Sequence, residues 1–561
     1  LPRTRRLTVM AQDPAVTRPN GQVVMAKVRV PAESLEPGPR GHRVHVIDYD
    51  ATTDTLYAPR GGDLDVDPYE GVADREALTA DPGFHAQNVY AIVMATLAHV
   101  ERALGRRVRW GFRGRGHQIK VAPHAFSEAN AFYSRLDEAL MFGYFPGRRG
   151  PVFTCLSHDV IAHETTHAIL DGLRPRFLEP SSPDQAAFHE GFADVVALLS
   201  VFSLPEVVDT ALGGGDGVGA LVAMNKVTAE QLRTTVLFGL ADQMGAELGT
   251  VRGHALRESA NLAPSTRYLS QAEFELPHRR GEVFSAAMLN SFLQVWTRRL
   301  APLFAGGASH ADRSRVVEEG AAAAQHLLTM AVRALDYTPP VDLQFGDYVS
   351  ALLTADTEAY PDDTRFRYRD AIRQTFALYG IEPAKSARPD GLWKAPSESV
   401  RYGRSHFEAM QRDREEVFRF VWENQKALEL DAMAYTYVDS VRPCTRVDVD
   451  GVTLHEAVCE YVQIANVRAS ELGGLGIAKP KTMPDATPVT LYGGAALVFD
   501  EFGRLKYQVG SHIWSERQSE RLEHLWEAGF FHSELQPTPS LAKLHRNRAT
   551  GHLRRRPQEA W

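Results

Sequence analysis

Cysteine is scarce: a chain of 561 residues holds three, Cys155, Cys444 and Cys459. That excludes a disulfide framework and a zinc site built mainly from thiolates. Long apolar runs are missing too. Val89–Val100 and Val195–Leu204 come closest, and both fall short of the roughly 18 residues needed to span a bilayer. Residues Leu1–Gln22 are polar and proline-rich, without the apolar core of a signal peptide. The first residue is Leu, which fits a processed or tagged end. A strong excess of one charge is also lacking. With 62 basic and 70 acidic residues the net charge is −8, which gives no global pull toward nucleic acid or anionic membranes. Basic residues cluster only at Arg3, Arg5 and Arg6 and at Arg546, Arg548 and Arg554 to Arg556, and these read as solvated, frayed termini. These absences lead to the expectation of a cytoplasmic protein with no nucleic-acid and no membrane partner.

What is present is the mix of an ordinary globular protein, long enough for about two to four domains. The pattern predicts an α+β fold. Residues 1–155 read as strands and loops around one helix. Val23–Val30 alternates, Arg43–Asp48 and Thr52–Tyr57 suggest a hairpin, and Val89, Val93, Leu97, Val100 and Leu104 share a helical face that Gly105 ends. Residues 156–381 read as helices: Asp159–Asp171, Ala187–Ser200, Val283–Leu300, Arg313–Leu335, Tyr348–Ala359 and Phe366–Tyr379. Ile381–Pro396 carries Pro383, Pro389, Gly391 and Pro396 and has the composition of a linker. Residues 397–561 read as a further α+β segment with a basic tail: a helical stretch over Arg401–Ala434, then apolar runs at Val447–Val467 and Val489–Val509, with a turn at Asp500–Gly503.

The most informative residues are His163-Glu164-Thr165-Thr166-His167. Residues four apart lie on one face of a helix, so both imidazoles can reach one metal, with Glu164 beside the open coordination position. A third ligand is required. Glu190, in Phe188-His189-Glu190-Gly191-Phe192-Ala193-Asp194, lies on a second helical segment. Asp194 follows it by four and can accept the other ring N–H of a ligand histidine. His189, Asp184 and Glu179 are rival third ligands. None is followed at the same spacing by an acid and an apolar face.

On these motifs the chain resembles the thermolysin-like (gluzincin) zinc metallopeptidases. Ser157–His167 reads SHDVIAHETTH, with an acid and a valine before the pentapeptide and Asp171 after it, as in the family. His189–Asp194 is similar to the family's Asn-Glu-x-x-Ser-Asp, Asn130-Ala131-Phe132-Tyr133 to its Asn-Ala-Phe-Trp edge strand, and Leu256-Arg257-Glu258-Ser259 to its Leu-Arg-Ser-Met segment. The resemblance covers roughly residues 80–381 and implies two lobes, a β-rich N-terminal one and a helical C-terminal one; residues 397–561, outside it, would form an additional C-terminal α+β domain. It further implies Zn²⁺ on His163, His167 and Glu190, and Glu164 as general base. Asn130 and Arg257 would bind the backbone of a peptide or protein substrate. Val160 and Leu256 match the pocket for an apolar residue after the cleaved bond.

The chain also departs from the family. The family's oxyanion histidine belongs to a stretch that here reads Gly281-Glu282-Val283-Phe284-Ser285, without histidine. His278, three residues earlier between Pro277 and Gly281, is the candidate replacement from a loop, or else a loop histidine of no special role. Phe177 or Leu178 stands where the family has a helping tyrosine. The acidic calcium cluster is absent, as Leu199–Leu204 is apolar. Two other functions stay open: a zinc aminopeptidase on the same motif, and a weakly active or non-catalytic peptide-binding protein. Among minor features, Cys155 reads as a small core residue, Gly473-Gly474-Leu475-Gly476 as a turn, and His455-Glu456 as surface.

Overall fold

The computed structural model describes residues 4–531, except 19, 60–63, 113–116, 148–149, 180, 214–219, 240–258, 260, 397–399, 448–450 and 452. Arg257, Leu256 and the basic residues from 546 onward lie outside the described residues.

The fold mixes helix and sheet. Strands β1 (Thr4–Met10) and β2 (Met25–Pro31) form an antiparallel ribbon. Arg5, in the described part of the N-terminal basic stretch, is therefore not in a frayed end: it donates to Asp65 and to the Glu33 carbonyl. Strand β3 (Val44–Val46) runs parallel to a later strand, because Val44 and Val46 are needed in the core; the hairpin expected over 43–57 shrinks to Tyr49–Asp50 with Thr55–Leu56. Helix α1 (Pro82–Leu104) starts on the Asp81 cap and ends at Gly105. Gly105 has φ 67°, and a Cβ there would stand 2.3 Å from the Thr445 carbonyl oxygen, so only glycine fits.

Strands β4 (Ile119–Phe126), β5 (Ala131–Ser134), β6 (Ala139–Gly147) and β7 (Gly150–Phe153) follow. The sheet order is β3-β4-β6-β5, which leaves β5 at an edge, with β7 also pairing β6. Then come the helices α2 (His158–Leu173), α3 (Pro183–Phe202), α4 (Pro277–Leu300), α5 (Arg313–Ala334), α6 (Phe345–Ala359) and α7 (Tyr368–Leu378). Among the described residues no single helix is long and apolar enough to cross a membrane. One hydrophobic core runs from Leu7 to Trp393, so strands and helices share it.

The proline-rich stretch after α7 is a linker by composition yet is fixed to the helices. Trp393 is buried and donates from its indole to the Tyr337 carbonyl. The expected long helix over 401–434 contracts to Phe407–Met410 and α8 (Arg414–Glu423). Beyond it, β8 (Tyr435–Val447), β9 (Thr453–Arg468), β10 (Pro488–Asp500) and β11 (Leu505–Ser511) form an antiparallel sheet in chain order, followed by α9 (Arg517–Glu527). Both sheet faces are covered, which explains the near-continuous apolar runs. Val458 and Val498 face the main core, while Ala457, Cys459, Leu497 and Phe499 pack with Phe420 and Val421 of α8.

A buried ionic ladder ties this sheet to the rest. Asp336 takes both guanidinium nitrogens of Arg106 at 2.6 Å and also pairs with Arg446. Arg446 continues to Glu456, which accepts from Tyr337 at 2.9 Å and pairs with Lys506 at 2.9 Å. Glu456 is thus 4% exposed and no surface residue, because three donors from different elements meet its carboxylate.

Candidate metal centre

Helix α2 is buried nearly all round, by Val160 and Ile161 in its first turn and by Ile169 and Leu170 near its end. Its polar residues are therefore committed. Thr165 and Thr166 donate to the carbonyls of Ile161 and Ala162 one turn back, leaving the two histidines and Glu164 to define the polar face. The His163 and His167 rings lie 4.5 Å apart between centroids and nearly perpendicular. Helix α3 brings Glu190 against them. His163 Nε2 lies 3.8 Å from Glu190 Oε2, and His167 Nε2 lies 3.7 Å from Glu190 Oε1.

One ligand atom from each of the three residues falls within 4.8 Å of the others. Tetrahedral ligands at about 2.0 Å from zinc sit about 3.3 Å from one another, and the two histidine–Glu190 gaps of 3.8 Å and 3.7 Å exceed that by about half an ångström. The donor set of two imidazoles and one carboxylate, all 2% exposed or less, suits zinc and leaves a fourth position open.

Supporting contacts set the ring orientations. Asp194 Oδ1 lies 2.8 Å from His163 Nδ1, which directs Nε2 toward Glu190. His189, weighed above as a ligand, instead meets His167 through the two Nδ1 atoms at 2.7 Å, with the rings stacked. Burial pushes the His189 imidazole down to about 4, so it stays neutral. With the proton on His167 Nδ1, His189 accepts it, and His167 presents Nε2 to the centre. The other rivals are engaged elsewhere: Asp184 with Arg280, Glu179 with Arg176.

The edge strand β5 completes the site. The Tyr133 backbone N–H donates to Glu164 Oε2 at 3.0 Å. The same strand is pinned to α2 by Asp171, which accepts from the Tyr133 hydroxyl at 2.8 Å and from Arg135 Nε at 2.7 Å. Asn130, just before β5, is 6% exposed, and its Oδ1 accepts from the Ala131 N–H at 3.0 Å. Its Nδ2 meets no acceptor among the described residues.

His278 is not on a loop. Pro277 opens α4 as its first residue, so His278 stands in the first helical turn. It reaches the centre because α3 and α4 cross with almost no gap. A Cβ on Gly281 would lie 2.9 Å from the Ala187 carbonyl oxygen, and one on Gly191 would lie 2.9 Å from the Gly281 carbonyl oxygen. One turn before that crossing, His278 Nδ1 lies 3.3 Å from Glu190 Oε2. Phe177 is buried against Phe188 and brings no hydroxyl.

Neither the models of known protein families nor the curated proteins match this chain. The site is therefore read from its own geometry. Two contacts escaped sequence reasoning. The Tyr133 N–H carries no side-chain signal at all. His189 was visible as a histidine beside Glu190, but its pairing with His167 depends on how α2 and α3 cross. Asp171 had a sequence cue, its spacing of four from His167 on one helical face.

Proposed function

We propose that the chain is a zinc-dependent peptidase, most naturally an endopeptidase of thermolysin-like type with its site between a β-rich and a helical lobe. The observation that carries this reading is the convergence of His163, His167 and Glu190 on one point, with the Glu164 carboxylate fixed to an edge strand. Zinc held by those three residues would polarise a scissile carbonyl and bring the pKa of a water toward about 7. Glu164 accepts the proton from that water and passes it to the leaving amine. The Tyr133 N–H holds one carboxylate oxygen at 3.0 Å, so the other is the one directed to this transfer. An extended peptide can lie along β5, with the Asn130 amide donating to its backbone. His278 is the candidate donor to the oxyanion.

The reading is tested by metal analysis together with assays on a casein-like protein and on an aminoacyl reporter. One zinc on these three residues and cleavage of the protein substrate are expected, with Glu164→Gln keeping its metal and losing about 10²–10⁴ in rate. Cleavage of the aminoacyl reporter alone would favour an aminopeptidase. The buried Phe177 favours one further reading, a slow or non-catalytic peptide binder, since no hydroxyl stands there to assist a donor at the oxyanion. Zinc binding without turnover on either substrate would select it.

A further inference from the structure

A second group of metal-type side chains lies in the β-rich region, made of His85, His124 and Cys155. They come from three elements: the first turn of α1, strand β4, and the short turn Thr154–Leu156 that leads into α2. Ligand atoms of the three fall within 4.8 Å of one another, the same tolerance met by the first centre. His85 and Cys155 are fully enclosed, and His124 keeps 9% exposure, which gives an ion a way in.

Three features set this group apart from ordinary core residues. The first is backbone geometry. Between Ala122 and Phe126, β4 advances four residues while its partner β6 advances two, from Met141 to Gly143. The surplus bulges out at Pro123-His124-Ala125, and a bulge of this kind re-aims a side chain. The second is orientation. Asp48 Oδ1 lies 2.8 Å from His124 Nδ1, which repeats the carboxylate–histidine pairing of Asp194 with His163 at the same distance and directs His124 Nε2 at His85. The third is the spacing of donors. His124 Nε2 and His85 Nδ1 are 2.8 Å apart, and a zinc-class ion would open that gap only to about 3.3 Å. Phe153 packs on both imidazoles, with ring centroids 4.8 Å and 5.4 Å away.

We propose that His85, His124 and Cys155 form a second, structural metal site for a zinc-class cation. Two imidazoles with one thiolate suit zinc and its close neighbours, and the absence of oxygen ligands disfavours calcium and magnesium. On binding, the Cys155 Sγ–H proton leaves to solvent and the thiolate becomes the ligand; a water fills the fourth position. The bound ion clamps α1, the main sheet and the lead-in to α2, three parts separated by 70 residues from His85 to Cys155. Its role is to hold the approach to the first centre, with no part in chemistry there. The proposal is independent of the function assigned to His163, His167 and Glu190.

The test uses the full chain, loaded with Zn²⁺ or with Co²⁺ as a spectroscopic probe. Two equivalents per wild-type chain are expected, and one in a His163→Ala/His167→Ala variant. The remaining cobalt in that variant should show a thiolate-to-metal charge-transfer band, and Zn²⁺ should still raise its melting temperature. Cys155→Ala and His124→Ala should each lose the band and one equivalent. His124, being at the rim, keeps the test decisive if the buried Cys155→Ala does not fold. A wild-type chain without a thiolate–cobalt band would overturn the proposal and leave Asp48, His124 and His85 as a hydrogen-bonded relay only.

Discussion

At the proposed zinc site, replacing Asp194 probes how much of the metal affinity would come from a residue outside the three ligands. Asp194 is 4% exposed, and its Oδ1 stands 2.8 Å from His163 Nδ1. Asp194→Ala removes that acceptor and the charge opposite the ring, so the imidazole loses both its tautomer control and its aim. Loss of such an orienting partner costs about 10–100-fold in metal affinity, or about 1.4–2.7 kcal/mol. Asp194→Asn keeps a carbonyl oxygen that can still accept from Nδ1, and loses only the charge. The expected order of affinity is therefore wild type, then Asn, then Ala. The assay is competition with a chromogenic chelator at fixed pH, run in the Glu164→Gln background so that self-cleavage does not blur the result. Equal affinity in wild type and Asp194→Ala would refute the reasoning. So would an Asn variant weaker than the Ala one, since that ordering cannot arise from an acceptor.

His278→Ala should lower kcat by about 10²–10³ at unchanged KM and zinc content if the imidazole serves the oxyanion; weaker zinc binding with normal kcat at saturating metal would show that it only steadies Glu190. Gly281→Ala should lower the melting midpoint: the new Cβ meets a backbone oxygen at 2.9 Å, and overpacking of about 1–3 kcal/mol outweighs the roughly 1 kcal/mol gained in helix propensity. An equal or higher midpoint would show that α3 and α4 can part freely. Burial alone would raise the Asp336 carboxyl, but Arg106 and Arg446 beside it hold it well below the usual carboxylate range. Its contribution is therefore fully present above the unfolded value of about 4 and lost as pH falls further. Asp336→Asn should cost about 3–5 kcal/mol near neutrality and flatten the acid limb of a urea-melt series, whereas an unchanged limb would assign acid sensitivity elsewhere.

The metal-type residues were legible because their chemistry is tied to helical spacing. His163 and His167 had to share a face once a helix formed, and Asp194 had to follow Glu190 by one turn. The helices themselves were legible where one apolar stripe faced one core, as for α1 and α5. Legibility failed where position depends on a partner distant in sequence. His278 read as loop because Pro277 and Gly281 look like turn residues, yet proline opens α4 and the glycine serves a helix crossing. Glu456 read as surface because nothing nearby announces Arg446, Tyr337 and Lys506 converging on it. The stretch 401–434 has helical composition, but packing of α8 against the last sheet selects only part of it.

The far end of the motif helix is finished by residues that are made much later. Arg442 donates to the Leu173 carbonyl at 2.8 Å, across 269 positions of chain, and Arg174, just beyond α2, is buried against Glu460. A cation at the C-terminal end of a helix satisfies its last carbonyls and opposes its dipole. On the ribosome, α2 with its histidines therefore emerges long before the strands that cap it. A chain interrupted before residue 435 carries the whole His-Glu-Thr-Thr-His motif and yet leaves Arg174 without its carboxylate and the helix end open. The end of the motif helix is thus completed only once the last sheet is in place, long after every motif residue has been made.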